Sequence, residues 1–381
     1  MKRALSVLLA SAAILLLLTI GIVRGQGIAS ALPQTVDAPA DNPASPAKVT
    51  LGRLLFWDPV LSGNKDVACA TCHHPDFGYA ENLDISIGVN GIGLGTRRKF
   101  ATPNSIPFVK RNSQSLLNTA FNGIDREGHY NPSTAPMFWD IRSLGLEAQA
   151  LEPIKTFEEM RGDAYSQEQA LDSVVARLKT IPEYGTLFTR AFGNRQAISS
   201  GNLGKALAAF ERTLVANNSP FDRQMRGDKS AMTEAQIRGM AQFERVGCGN
   251  CHNGPMFSDY KLHVLGVPDN GKLQVSDSGV NGTYAFRTAS LRDLAFTAPY
   301  MHSGVFSTLE DVLNFYNRAG RRIRNGNSNG GQADPLLRQL RGVNFASRDI
   351  IEFLGALNDQ SFDKTIPARV PSGLRPGGRI E

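Results

Sequence analysis

The sequence is short of cysteine, of tryptophan and of concentrated charge. Four cysteines and two tryptophans occur in 381 residues. In an exported chain four cysteines would ordinarily suggest two disulfides and no more. Lysine and arginine number 41 against 35 acidic residues, with no long run of one sign. Setting aside the first 31 residues leaves 38 basic and 35 acidic groups, a net of +3. So weak and mixed a balance gives no argument for nucleic acid, and none is expected as a partner. Low-complexity tracts are absent, and beyond Ala4–Val23 no apolar run is long enough to span a bilayer.

What is present begins with an export signal. Lys2 and Arg3 precede the apolar run, and Ala29-Ser30-Ala31 follows as a small-residue cleavage site. The pattern predicts a signal peptide over 1–31 and a periplasmic mature chain, with an uncleaved N-terminal membrane anchor as the alternative. The remaining length suits two domains.

All four cysteines fall in two stretches, "VACATCHHP" at 67–75 and "GCGNCHNGP" at 247–255. Each is Cys-x-x-Cys-His. Two cysteines three positions apart reach both vinyl groups of a porphyrin, and the following histidine presents an imidazole to the iron. Cys69, Cys72 and His73 are therefore assigned to one covalent haem c, and Cys248, Cys251 and His252 to a second. Zinc would bring four ligands into one cluster. Two disulfides would leave the histidines unexplained. His74 follows a proximal ligand directly and is read as a surface or outer residue.

Apolar periodicity and caps predict a mainly α fold: two cytochrome c-like haem domains with long irregular connections. Ser166 with Gln169 reads as a capping box before Leu171, Val174, Val175 and Leu178. Leu203, Ala206, Leu207, Phe210 and Leu214 stripe the next helix. Thr233 with Gln236 caps a helix that enters the second haem motif. Thr308 caps another, and a last helix starts near Ser347. The first haem domain is placed at 32–218, a polar turn-rich linker at 219–232, and the second haem domain with its tail at 233–381. No repeat is read beyond the two haem motifs.

Residues 138–160, "FWDIRSLGLEAQALEPIKTFEEM", resemble the bacterial di-haem cytochrome c peroxidases and their MauG-like subgroup. The family pattern is approximately F-W-D-G-R, E-x-Q-A, P and E-M, with Ile141 in the usual glycine position. The resemblance extends over 51–75, 111–122 and 286–317 in the same order. It implies a peroxidatic first haem and an electron-transfer second haem. Trp139 would relay electrons between them, Glu159 would be the distal acid–base group, and Gln149 and Pro153 would line its pocket. In "SIGVNG" at 86–91, Val89 replaces the distal histidine of typical members. The first iron is then expected five-coordinate, with His129 the one alternative ligand. Tyr316, fourteen residues beyond His302, matches the axial position used as tyrosine in the MauG-like subgroup, with Met256 and Met301 as fallbacks. A calcium site is implied at Asn112, Thr297 and Pro299.

The expected activity is reduction of hydrogen peroxide with electrons from a small c-type cytochrome or cupredoxin. Oxidation of a partner protein's side chains, as in the MauG-like subgroup, is the second reading. A di-haem carrier or redox sensor without turnover is the third. The resemblance also allows a homodimer.

Overall fold

A computed structural model describes residues 29–324 and 333–381. The signal and anchor expectations for 1–28 lie outside them, and no described helix is long and apolar enough to cross a membrane. The fold is mainly α, with three antiparallel pairs of two-residue strands among the described residues. The first half holds α1 (Pro46–Trp57), α2 (Cys69–Cys72), α3 (Leu146–Gln149), α4 (Glu152–Lys155), α5 (Ala170–Lys179), α6 (Pro182–Phe192) and α7 (Ser200–Glu211). The second holds α8 (Pro220–Met225), α9 (Glu234–Arg245), α10 (Leu309–Arg324) and α11 (Val343–Gly355).

Each half is organised by one close helix crossing. In the first, a Cβ at Gly52 of α1 would collide with the Ala206 carbonyl of α7. In the second, a Cβ at Gly239 of α9 would collide with the Asp349 carbonyl of α11. Only glycine lets the backbones approach so closely. Four residues on, Phe56 packs edge-on against Phe210 at 5.1 Å, and Phe243 against Phe353 at 5.4 Å. Gly-x-x-x-Phe before each haem motif is therefore a second repeat, one the sequence reading missed because its partners lie over 100 residues away.

Caps explain several helix starts. The Thr233–Gln236 capping box forms in full, and Thr308 Oγ1 accepts from Asp311 N at the start of α10. Ser166 makes only half of its box, accepting from Gln169 N, and regular helix begins at Ala170. α11 starts at Val343, four residues before Ser347.

Two segments differ from the expected layout. Within 219–232, read as a polar linker, α8 buries Phe221 in the second core and Asp222 completely. The tail, grouped with the second haem domain, runs across the first core instead. Phe362 and Val370 join that core, and Gly377 pairs with Trp57 and Thr71.

Candidate functional site

A cavity of about 800 Å³ is shared by both halves. It is lined by both Cys-x-x-Cys-His motifs and by Trp139, Gln149, Pro153 and Glu159. Tyr316, Asn112, Thr297 and Pro299 also reach its wall. The sequence positions that carried the resemblance thus converge on one space, of a size suited to large cofactors.

The two histidines are prepared alike. His73 Nδ1 lies 3.0 Å from the Tyr79 carbonyl, and His252 Nδ1 lies 2.9 Å from the Phe257 carbonyl. Such a bond fixes the proton on Nδ1 and leaves the Nε2 lone pair for a metal. Tyr79 and Phe257 both have positive φ, which turns their carbonyls toward the rings. Burial lowers both imidazoles, His73 to about 4, so both rings are neutral at pH 7. No two of the four cysteines are joined as a disulfide. Neutral imidazoles, paired thiols and a large cavity fit covalent haem.

Among the described residues one other cluster could suggest a metal: Cys251, Asp259 and His263. Both ring nitrogens of His263 are already engaged, Nε2 with Asp259 at 3.1 Å and Nδ1 with Asp334 at 2.5 Å. The side-chain bond to Asp259 is the largest cause raising its pKa, to about 11. With both ring nitrogens held by carboxylates, His263 has no free nitrogen for zinc.

Glu159 sits on a π-helix, Phe157–Arg161, a form frequent at functional sites. Desolvation pushes its carboxyl up to about 7, against the opposing charge of Arg142. The loop 86–91 holds it in place. Val89 N donates to the Glu159 carbonyl at 3.0 Å, and a Cβ at Gly88 would strike the carbonyl oxygens of Glu158 and Glu159. Val89 itself is fully buried with Val67 and Ile106 and offers no atom that binds iron. His129 is 83% exposed beside Asp125 and does not line the cavity. Gln149 Oε1 is buried without a partner, an acceptor left for whatever fills the site.

Trp139 is tied to both motifs. Its Nε1 donates to the Asn112 carbonyl at 3.1 Å, and the next residue, Ser113, contacts His73 Nδ1 and the Cys72 carbonyl. Its own carbonyl accepts from Arg287 N at 2.7 Å, two residues before Ala289, whose backbone faces His252. Arg111 bridges Asp140 and Asp277 across the halves at 2.7 and 2.5 Å. Ile141, in the usual glycine position, has φ 56°. A β-branched residue is strained there by about 1 kcal/mol or more. Ile141→Gly is expected to raise stability by about 1 kcal/mol; an unchanged or lower urea midpoint would contradict this.

Tyr316 projects from α10, and its hydroxyl has no hydrogen-bond partner among the described residues. Burial is the main cause that raises its pKa, and the phenol lines the cavity together with Cys248 and Cys251 of the second motif. Asn112 Nδ2 donates to the Leu83 and Asp84 carbonyls, and nothing described donates to its Oδ1 or to the Thr297 and Pro299 carbonyls. These three oxygens suit a hard cation. Met256 is buried beside Leu32 and Phe121, and Met301 packs on the second core.

Two placements departed from expectation. His74 is not on the surface: it is buried, with Nδ1 accepting from Asp76 N and its ring edge-on to Trp57. Glu211 was not singled out, yet it lines the cavity, buried, with Oε2 unpartnered and its carboxyl pushed up to about 8 by burial. A lone carboxylate beside the apolar stripe of α7 was the available signal.

A family model described as di-haem cytochrome c peroxidase matches residues 46–230. The methylamine utilization protein MauG of Methylorubrum extorquens is 38% identical over 295 residues, covering 76% of this chain and 74% of MauG. The cytochrome-c peroxidase IdrP1 of a Pseudomonas species is 33% identical over 359 residues, covering 85% of this chain and 84% of that protein. Among solved structures, a MauG-like protein associated with microbial copper homeostasis aligns with a TM-score of 0.67 at 26% identity, over 87% of this chain and 95% of that one. The paired motifs, the shared cavity and these likenesses lead to one conclusion: the chain belongs to the di-haem cytochrome c peroxidase family and is an oxidoreductase that uses peroxide.

Proposed function

We propose that hydrogen peroxide is reduced beside the motif of Cys69, Cys72 and His73, with Glu159 as its acid–base group. Haem, when bound, supplies the redox chemistry; the chain supplies position and protons. Splitting peroxide requires a proton to move from the near oxygen to the leaving one. A carboxyl poised near pH 7, facing the cavity from a rigid π-turn, is suited to that transfer, and it is the observation that carries this reading. Gln149 and Pro153 bound the same wall. Trp139 is the relay toward the second haem, held by Cys248, Cys251 and His252.

Tyr316 would hold the iron of that second haem, its phenolate a hard donor that would favour the ferric state. Tyr316→Phe is expected to change the second haem's absorption and EPR signature while leaving covalent attachment intact. An unchanged spectrum removes Tyr316 from the ligand set. Calcium is proposed at Asn112, Thr297 and Pro299, with affinity kept modest by the lack of carboxylates. The leader at 1–31 supports export to the periplasm.

Val89 and Tyr316 together also support the MauG-like reading, in which the electrons come from side chains of a partner protein. The test is a steady-state peroxide assay on the holoprotein with small cytochromes and cupredoxins against candidate protein substrates. A ferric spectrum that is wholly low-spin and does not respond to cyanide, with no turnover, would leave only the carrier or sensor reading.

A further inference from the structure

The charge of this protein is unevenly placed. Residues 309–355, α10 through α11, carry seven arginines and five acidic residues; Glu310 and Asp311 open the span, Asp349 and Glu352 close it, and between them Asp334 is the one acid among the arginines. Asp334 is already engaged by His263. Arg318, Arg321 and Arg322 are exposed on α10, and Arg338, Arg341 and Arg348 are exposed over 338–348. The two sets adjoin: Gly320 of α10 abuts Leu337 and Leu340, and the Arg324 guanidinium donates to the Leu340 carbonyl. Between Arg341 and Arg348 stands Phe345, 89% exposed, on a helix whose Val343, Ala346 and Ile350 turn inward to the core.

This surface lies directly over the second haem motif. The inner side chains Leu337, Leu340 and Val343 line the cavity with Cys248 and Cys251. Gln339 Oε1 accepts from Nδ2 of Asn250, the residue just before Cys251, at 2.9 Å. Arg341 N donates to the Val246 carbonyl at 3.2 Å. The arginines therefore begin one residue from the contact with the haem-attachment loop.

We infer that the arginine surface around Phe345 is the docking site of a small, acidic-surfaced, one-electron carrier protein that reduces the second haem. Opposite charge steers such a partner and raises its association rate, while redox encounters need only a small interface. Arginine and an exposed aromatic are the side chains that interfaces favour. A second copy of this chain is a poor occupant, because a two-fold contact would set arginines against arginines. The inference rests on the peroxidase reading. Two reduced carriers each give one electron; with two protons, one hydrogen peroxide becomes two waters.

The test is peroxide-driven oxidation by the di-haem holoprotein of three donors: reduced acidic plastocyanin, reduced lysine-rich cytochrome c, and uncharged guaiacol. The second-order rate with plastocyanin is expected to fall about tenfold or more between low and physiological salt. It should fall a further tenfold or more in the Arg338→Glu/Arg341→Glu variant, and should drop in Phe345→Ala. Guaiacol turnover should be unchanged in both variants, which shows them folded and haem-loaded. Plastocyanin rates insensitive to salt and to the double substitution would overturn the docking site. So would a faster, salt-weakened reaction with lysine-rich cytochrome c. Absence of guaiacol turnover in the wild type would instead overturn the peroxidase reading beneath it.

Discussion

Glu159→Gln lowers peroxide turnover by about 10²–10⁴-fold while both haems stay attached. Glutamine keeps the size and polarity of the side chain but cannot carry the proton. Only the chemistry is removed, because the π-helix Phe157–Arg161 is held by its backbone bond to Val89 and by the close seat of Gly88. Accepting the first proton from peroxide needs the ionised carboxylate. Turnover in the wild type should therefore rise as pH climbs through about 7, where burial has placed this group, and that limb should vanish in the variant. Gly88→Ala should reproduce much of the loss without touching the carboxyl, by pushing the π-turn out of place. Haem content per chain is measured alongside the rates. Near-wild-type turnover in Glu159→Gln would reduce Glu159 to a structural residue.

Asp222→Ala should destabilise the holoprotein by about 3–5 kcal/mol. Asp222 and Arg292 are both buried, and their ion pair spans 2.8 Å. The carboxylate also accepts from Ser219 Oγ at 2.6 Å and from Leu32 N at 2.9 Å. It thus joins the start of the described chain, α8 and the loop that follows Ser290. Arg292 is held from the other side by the Pro255 carbonyl. Removing the carboxylate strands a guanidinium in the core, and desolvating an unpaired charge accounts for most of the cost. The double variant Asp222→Ala/Arg292→Met should recover much of the loss, since it removes both charges. Urea unfolding of each variant measures this; a single-variant loss below about 1 kcal/mol would show the pair to be solvated.

The parts of the site legible in the sequence were those with local signatures. Cys-x-x-Cys-His carries its chemistry in five residues, and the Thr233–Gln236 box carries its helix start in four. Trp139, Glu159 and Tyr316 were reached through a pattern, and the structure brings all three to one cavity. What stayed hidden depends on distant partners. The 219–232 segment looks like a linker because Asp222 and Arg223 are charged. Of its helix, Phe221 and Asp222 are buried, and Asp222 is paired there with Arg292, seventy residues on. The tail's place on the first core rests on Phe362, Val370 and Gly377, none of which has periodic neighbours. No periodicity announces a π-turn, so Glu159 could be read as a residue but not as a geometry. Of the two places open to His74 from its position after His73, surface or outer, only the buried one fits: it caps a turn against Trp57.

Two porphyrins joined to the chain by thioethers are the premise of every functional step above. Intact-mass measurement of protein matured in a host able to attach haem c tests it most directly. The account predicts the polypeptide plus two haems, with attachment falling to one when Cys69 and Cys72, or Cys248 and Cys251, are replaced by alanine. A wild-type mass corresponding to one haem or none would contradict it.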